Sequence, residues 1–536
     1  MRILNSEALV RHGNVEGRRA LVQILEAGLQ AADPYANARK LIRIEGNRLI
    51  VGGRDFEPAD DPDTGDAVFE LDKIGRIFVI GAGKGMQYAA KAFEDILGDR
   101  LAGGHIIAKH GDEHVLTRIG VTYGAHPVPD DGCAEGCRRI LEICADLRPD
   151  DLVFTVIGNG VSSLLTLPVP GVPMADVSRM TYQMQIERGV PTGDLNTIRN
   201  HIDLMKSGRI SRHIQPATAI HIICVDPSSY DQLMHRNVWL HTLPDCTTFA
   251  DALKVLDKWD ATDVIPESIV TFLRRADPAH ETVKADEFAG MRFRIFGIMP
   301  NKLGPVPAAK AKAAELGYRP HTLASSLGAE AREAGYTIAA IALTCERQGV
   351  PFEPPCALFT SGELLVTVGD EDGIGGRNQE YCLAAALRIA GSKHVLFGAV
   401  DTDGTDGPGT QFSQNGVEIP CLAGAIVDGQ TLAEAQAAGI DAYAELRRHN
   451  TSPVLWRLGS GVHATHNISV GDLGVGAGER VSGQRDGILL AIELALYHRQ
   501  HDTYPATLDA LVPTYLPSLP IDRITGNPLH YRLIDR

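Results

Sequence analysis

Ile77-Phe78-Val79-Ile80 runs directly into Gly81-Ala82-Gly83-Lys84-Gly85-Met86. Four apolar residues, three of them β-branched, read as a strand buried on both faces, and the glycine-rich turn opens a helix that continues through Leu97. Downstream, His105 to Lys109 and Val121 to Gly124 read as two more strands, and a helix follows from Asp131 to Leu147. Leu152-Val153-Phe154-Thr155-Val156-Ile157 is a further buried strand, entering Gly158-Asn159-Gly160-Val161-Ser162-Ser163. Met174 to Ser211 is mostly helical, Ala219 to Val225 is the next strand, and Phe293 to Met299 and Arg319 to Leu323 read as strands that continue the sheet. Strands alternating with helices at this spacing predict parallel βαβ units with helices on both faces, hence an α/β fold.

Outward from this core, Leu21, Ile24, Leu25 and Leu29 recur at helical spacing between Val15 and Ala32. Leu41 to Val51 reads as a short strand pair, and Asp55 to Gly65 as an acidic loop containing proline. On the other side, Ser325 to Gln348 is an amphipathic helix, and a second α/β unit runs from Cys356 to about Asp472. That unit carries two polar, glycine-rich loops after strand-like runs. Leu358-Phe359-Thr360-Ser361-Gly362-Glu363 and Leu364 to Val368 precede Gly375-Gly376-Arg377-Asn378-Gln379-Glu380; Val395 to Val400 precedes Asp401-Thr402-Asp403-Gly404-Thr405-Asp406-Gly407-Pro408. Ligands bind at such sheet edges, and an arginine among closely spaced carboxylates suits an anionic substrate with a divalent metal. The last segment differs: an apolar helix from Gly487 to Tyr497, then Tyr504-Pro505, a short helix from Thr507 to Val512, and Pro517 to Pro520. The chain therefore divides into a Rossmann-like parallel-sheet unit (1–325), a smaller α/β unit (326–475) and a short appended module (485–536).

At 536 residues the chain exceeds what one core supports. A net charge of -16 argues against nucleic-acid binding over a broad surface. Met1 to Asn14 lacks a signal-peptide pattern, and no apolar run reaches the roughly 18 to 20 residues that span a bilayer. A cytoplasmic protein without membrane attachment is expected, and a homodimer is left open. The nine cysteines include no Cys-x-x-Cys pair, so Cys133, Cys137 and Cys144 read as small buried hydrophobes in a reducing compartment.

Gly81-Ala82-Gly83-Lys84-Gly85 places backbone N–H groups and a lysine at a helix N-terminus, an arrangement that favours anions. It matches neither G-x-G-x-x-G nor the P-loop, and a plain turn with a surface lysine also fits. Gly158-Asn159-Gly160-Val161-Ser162-Ser163 is a second phosphate cradle or, equally, a structural turn. His126 and His201 suit satisfied core or surface positions, and Arg199, Lys206 and Arg209 suit a solvated helical face.

Together these loops resemble the glycerate 2-kinase family, whose C-terminal part is called the MOFRL domain and whose members are often labelled hydroxypyruvate reductases. The likeness spans roughly residues 15–475 and rests on Gly81-Ala82-Gly83-Lys84, His126-Pro127-Val128-Pro129-Asp130, Asn196-Thr197-Ile198-Arg199, Gly376-Arg377-Asn378-Gln379-Glu380 and Thr402 to Pro408, in that order. The resemblance implies ATP-dependent phosphorylation of D-glycerate, or a related hydroxy acid, at the 2-hydroxyl in a cleft between the two units. It implies Lys84, Arg377 and Asp403 as catalytic groups, and Gly81, Gly83, Gly158, Asn159, Gly160, Ser162 and Ser163 around the nucleotide. It further implies Arg199, His201, Lys206, Asn378 and Glu380 toward substrate, and Glu363, Asp401 and Asp406 toward Mg2+. Three loops depart from the family pattern: Ile157 to Ser162 loses a serine and a glycine, Asp226 to Pro244 lacks a Ser-Gly-Pro triplet, and Gly459 to Asn467 replaces a Gly-Thr-x-Asn loop. An NAD(P)H-dependent hydroxypyruvate reductase and a catalytically weak sugar-acid binder are the alternatives. The tail is similar to the soluble part of pseudopilin-like proteins through Tyr504-Pro505, Tyr515-Leu516-Pro517 and Gly526-Asn527-Pro528-Leu529. Lys84→Ala and Arg377→Ala are each expected to abolish most turnover and to leave the fold intact, since surface charges at loop tips stabilise little.

Overall fold

The computed structural model describes residues 1–407, 412–414, 416–467, 471–478, 493–516, 519 and 531. Strands β1 (Ile42–Glu45), β2 (Arg48–Val51) and β3 (Ala67–Glu70) form a small antiparallel sheet, so the expected strand pair gains a third member. The first large sheet contains β4 (Ile77–Ala82), β5 (Leu101–Lys109), β6 (Gly120–Gly124), β7 (Leu152–Ile157), β8 (Thr218–Ile223) and β9 (Phe293–Gly297). Its order is β6-β5-β4-β7-β8-β9, with every pair parallel. This is the doubly wound arrangement, in which the chain starts at the centre and turns back at β4/β7. Every residue of β4 and β7 is buried. Ile77 and Val79 share a core with the helix Met86–Leu97, while Phe78 and Ile80 share one with Asp131–Cys144, so successive side chains serve opposite faces.

The second sheet adds β10 (Arg319–Leu327), β11 (Cys356–Gly362), β12 (Val395–Asp401), β15 (Gly424–Asp428), β16 (Gly461–Val462) and β17 (Asp472–Gly478), while β13 (Phe412–Gln414) and β14 (Val417–Ile419) form a separate hairpin. Arg319 to Leu323 does not extend the first sheet; β10 runs parallel to β11 at the edge of the second. Its pleated pattern marks a strand without saying which sheet receives it, and the helix Pro305–Glu315, packed on Val15–Ala31, has already carried the chain across. The strand also takes up Ser325 to Leu327, so the next helix begins at Ala331. Leu364 to Val368 is likewise no strand; apart from a bridge at Leu365 it is irregular chain along the cleft.

In the second sheet β17 runs antiparallel between β11 and β12. Gly362 at the end of β11 and Asp401 at the end of β12 both pair with Asp472, the first residue of β17. Three strand ends thus meet at one point. Val15–Ala31 and Pro305–Glu315 cover one face of this sheet, and Ala331–Gln348 with Arg377–Ile389 the other. Residues 493–501 are helical, and Leu508–Leu511 form a short turn of helix with Leu508 and Leu511 buried. Pro408, residues 487–492, Pro517, Pro520 and Gly526 to Leu529 lie outside the described residues. Among the described residues, no helix is long and apolar enough to cross a membrane.

Candidate active site

The loops leaving β4 and β7 stand side by side at the switch point of the first sheet, and local sterics hold them there. A Cβ on Gly81 would lie 1.9 Å from the Val156 carbonyl oxygen, so only glycine lets β4 and β7 approach this closely. The Lys84 N–H donates to the Asn159 carbonyl at 2.8 Å, tying one loop to the other. Gly160 sits at φ +82°, where glycine is favoured, and a Cβ there would come within 3.3 Å of the Lys84 stem and 3.2 Å of His126. The bare glycine leaves the lysine its path.

That path crosses the cleft. Lys84 Nζ reaches Asp403 Oδ2 at 2.6 Å, on the loop after β12, while Asp403 Oδ1 accepts from the Thr405 N–H and hydroxyl at 2.7 Å each. Arg377, the first residue of its helix, donates through Nε to Asp472 and through Nη2 to Asp401, both at 2.7 Å, and its Nη1 lies 3.3 Å from Glu363. Between these banks lies a cleft of about 990 Å³, lined by Lys84, Asn159, Gly160, Ser162, Ser163 and Arg199 on one side and Glu363, Arg377, Glu380, Asp401 and Asp406 on the other.

Burial and charge set the protonation states. Burial pulls the Lys84 ammonium down, but the adjacent Asp403 carboxylate outweighs it and leaves the lysine above its ordinary value. Asp403 responds in the opposite sense: burial raises it, and Lys84 brings it below the usual carboxylate range. Asp401 is pushed well above that range by burial and by the negative charge of Asp403, against the pull of Arg377. Two neighbouring carboxylates are thereby driven apart, one a firm anion and one with a strong affinity for a proton. Burial, reinforced by Lys84 and Lys109, lowers His126 to about 3, so its imidazole is neutral at physiological pH.

The chain resembles known proteins over most of its length. Residues 20–274 match the model of a domain of unknown function, DUF4147, and residues 356–469 match the MOFRL family. A protein of Pyrococcus horikoshii named glycerate 2-kinase is 31% identical over 440 residues, covering 82% of this chain and 92% of its own length. The chain belongs to the glycerate 2-kinase family. A relative from Agrobacterium vitis with the provisional name hydroxypyruvate reductase is 32% identical over 386 residues, 72% of this chain and 83% of its own. The crystal structure of glycerate kinase from Thermotoga maritima superposes with a TM-score of 0.65 at 27% identity, covering 86% of this chain and 99% of that one.

In this family member the candidate residues fall into three groups. Lys84, Asp403, Arg377, Asp401 and Glu363 converge as described. Gly81, Gly83 and Gly158 shape the floor without lining it, and Asn378 is buried beneath, its amide donating to Asp472 at 2.6 Å and to Asp406 at 3.2 Å. Asp406 also accepts the Asn378 and Gln379 backbone N–H groups, so both its oxygens anchor the start of the Arg377–Ile389 helix. Glu380 lines the cleft with His449, which lies 2.6 Å from its carboxylate. The Ser163 hydroxyl is spent on the Ala125 carbonyl at 3.0 Å.

His201 and Lys206 lie behind the wall rather than in the cleft. Lys206 is buried and donates to Asp203, Thr166 and the Leu165 carbonyl; His201 is clamped between the Thr197 carbonyl at 2.8 Å and Glu281 at 3.0 Å. The solvated face expected for Arg199, Lys206 and Arg209 is in fact interior, since each is at most 5% exposed. Glu281 carries a testable signature. Burial raises its pKa, but hydrogen bonds from His201 and the Thr282 N–H win and bring it to about 2. A depressed folded-state pKa contributes stability above the unfolded value and loses it as pH falls. The stability advantage of wild type over Glu281→Gln, about 2 kcal/mol at neutral pH, should therefore shrink as pH falls from 5 toward 2, as read from urea midpoints.

Sequence reasoning passed over Asp472, which gathers Arg377, Asn378 and the Leu364 N–H. Its one signal was the alternation Gly474, Gly476, Gly478, which marks a strand hemmed in by neighbours. His126, read as a bland histidine, lines the cleft beside Lys84.

Proposed function

We propose that the chain is an ATP-dependent kinase that phosphorylates D-glycerate, or a closely related small hydroxy acid, at the 2-hydroxyl with magnesium. The observation that carries this reading is Arg199. Its guanidinium is buried, burial alone pulls its proton affinity down, and among the described residues no carboxylate pairs with it and its Nε has no partner. A buried cation without a counter-ion, opening on the cleft that holds Lys84, suits the carboxylate of an acid substrate.

The remaining groups divide the work of phosphoryl transfer, which asks for positioning and charge neutralisation. Lys84, held by Asp403 at the switch point beside the bare Gly160 turn, is placed to meet phosphate oxygens. Asp401, with its raised affinity for a proton, suits the proton leaving the substrate hydroxyl. Arg377 is tied into Asp401 and Asp472, so its role is to fix those carboxylates and add positive charge to the cleft.

Bound magnesium would supply charge neutralisation on the phosphates. Among the described residues no group of three or more His, Cys, Asp or Glu side chains forms a metal cage. Magnesium in kinases needs only one or two carboxylates plus phosphate oxygens. Glu363, 66% exposed, fits that demand; Asp401, whose oxygens accept from Arg377 and the Asp403 N–H, and Asp406, committed to its helix, do not.

Incubation with ATP, magnesium and D-glycerate, followed by phosphorus NMR, tests the proposal. A 2-phosphoglycerate resonance is expected. No product with ATP binding intact would move the substrate to another acid, and loss of both would overturn the kinase reading.

A further inference from the structure

Ser162 lies on the cleft wall, and two nitrogen atoms converge on its hydroxyl from behind. Asn196 Nδ2 donates to Ser162 Oγ at 3.1 Å, and His241 Nε2 lies 2.9 Å from the same oxygen. Both partners are buried, Asn196 completely and His241 at 1% exposure. Arg199 carries only donors and makes a long contact of 3.5 Å to the Asn196 side-chain oxygen. The Asn196 oxygen therefore faces the guanidinium and its NH2 faces Ser162, which makes Ser162 an acceptor at that contact.

His241 leaves two choices. Burial, with the charges of Lys206 and Arg199 acting in the same direction, keeps the ring neutral, so one nitrogen carries the hydrogen. Nδ1 is buried and has no partner among the described residues. A hydrogen placed there would be a buried donor without an acceptor in a positive field, whereas a bare lone pair at Nδ1 costs less. The hydrogen belongs on Nε2, aimed at Ser162. With two donors arriving at its oxygen and no acceptor for its own proton among the described residues, the Ser162 O–H is directed into the cleft.

Resting on the carboxylate-binding reading above, we infer that His241 is a positioning residue that fixes Ser162, which the family resemblance assigns to the nucleotide, as a hydrogen-bond donor into the cleft, alongside Arg199, for the carboxylate of the substrate acid. Ser162 and Arg199 then present only donors to the cleft. An anionic oxygen is matched there, while a group that must donate, such as an ammonium or an amide NH2, is refused. His241 touches no ligand in this scheme; it acts through Ser162.

Two measurements on the full-length protein test this. Nitrogen-15 NMR of histidine-labelled protein, with the His241 signals assigned by their loss in His241→Gln, should show the Nε2–H tautomer; the Nδ1–H tautomer would overturn the inference whatever the substrate. Calorimetry with D-glycerate should show weakening of about tenfold for Ser162→Ala and for His241→Phe. The double variant should be no weaker than Ser162→Ala, and His241→Gln, which retains an N–H, should bind within about threefold of wild type. Additive losses in the double variant would mean that His241 does not act through Ser162. If wild type itself binds no D-glycerate, the substrate assignment falls, and the tautomer still decides the polarity of the wall.

Discussion

Lys84→Met is expected to lower turnover about a thousandfold, the scale on which one preorganised cation or donor at a transferring phosphoryl group acts. The loss should appear in kcat, since the charge serves oxygens whose negative charge is redistributed during transfer. The structure revises the expectation that such a variant leaves the fold untouched. The Lys84 side chain is only 19% exposed and that of Asp403 1%, so removing the lysine strands a buried carboxylate. That should cost about 3 kcal/mol, measured by urea denaturation. Adding Asp403→Asn should recover most of the stability and none of the activity. If the double variant regains turnover, Lys84 is a strut and the site lies elsewhere.

Arg377→Ala should produce the larger structural effect. Its guanidinium stands between Asp401 and Asp472, each 5% exposed at the side chain, and these carboxylates end two different strands of the second sheet. Loss of the cation leaves like charges facing each other where β12 meets β17, at a cost of about 4 kcal/mol. Activity should fall at least a hundredfold, because Asp401 loses the partner that orients it. Arg377→Lys should restore part of the stability and little of the activity, since an ammonium cannot make the forked contacts. Equal activity in the lysine variant and wild type would show that the fork does nothing beyond neutralisation.

Much of this architecture was readable beforehand. The runs ending at Gly81 and Gly158 announce buried strands because their hydrophobicity does not alternate, and the glycines after them announce turns. Their meeting at the switch point follows from parallel winding. What escaped detection depends on contacts remote in sequence. Asp472 acquires its role only because β17 inserts between β11 and β12, and no local pattern around it encodes that neighbourhood. Lys206 and Arg209 look solvated because charged residues usually are; their burial depends on Asp203 and on backbone carbonyls brought in by folding. The pair Ser162 and His241, 79 residues apart, likewise has no sequence-local signature.

The helix Val15–Ala31 packs on the second sheet, yet Ala32, Ala38 and Leu41 belong to a core of the first, and the chain returns between β9 and Pro305–Glu315. The polypeptide therefore passes between the two sheet-bearing bodies twice, once near residue 32 and again near residue 300. Two parallel tethers constrain relative motion more than one. They leave a door-like swing about the line joining them and resist twisting. Such a swing would part the banks that carry Lys84 and Asp403, breaking the ion pair between them while each bank keeps its internal geometry, so closing for chemistry re-forms that pair with the rest of each side already in place.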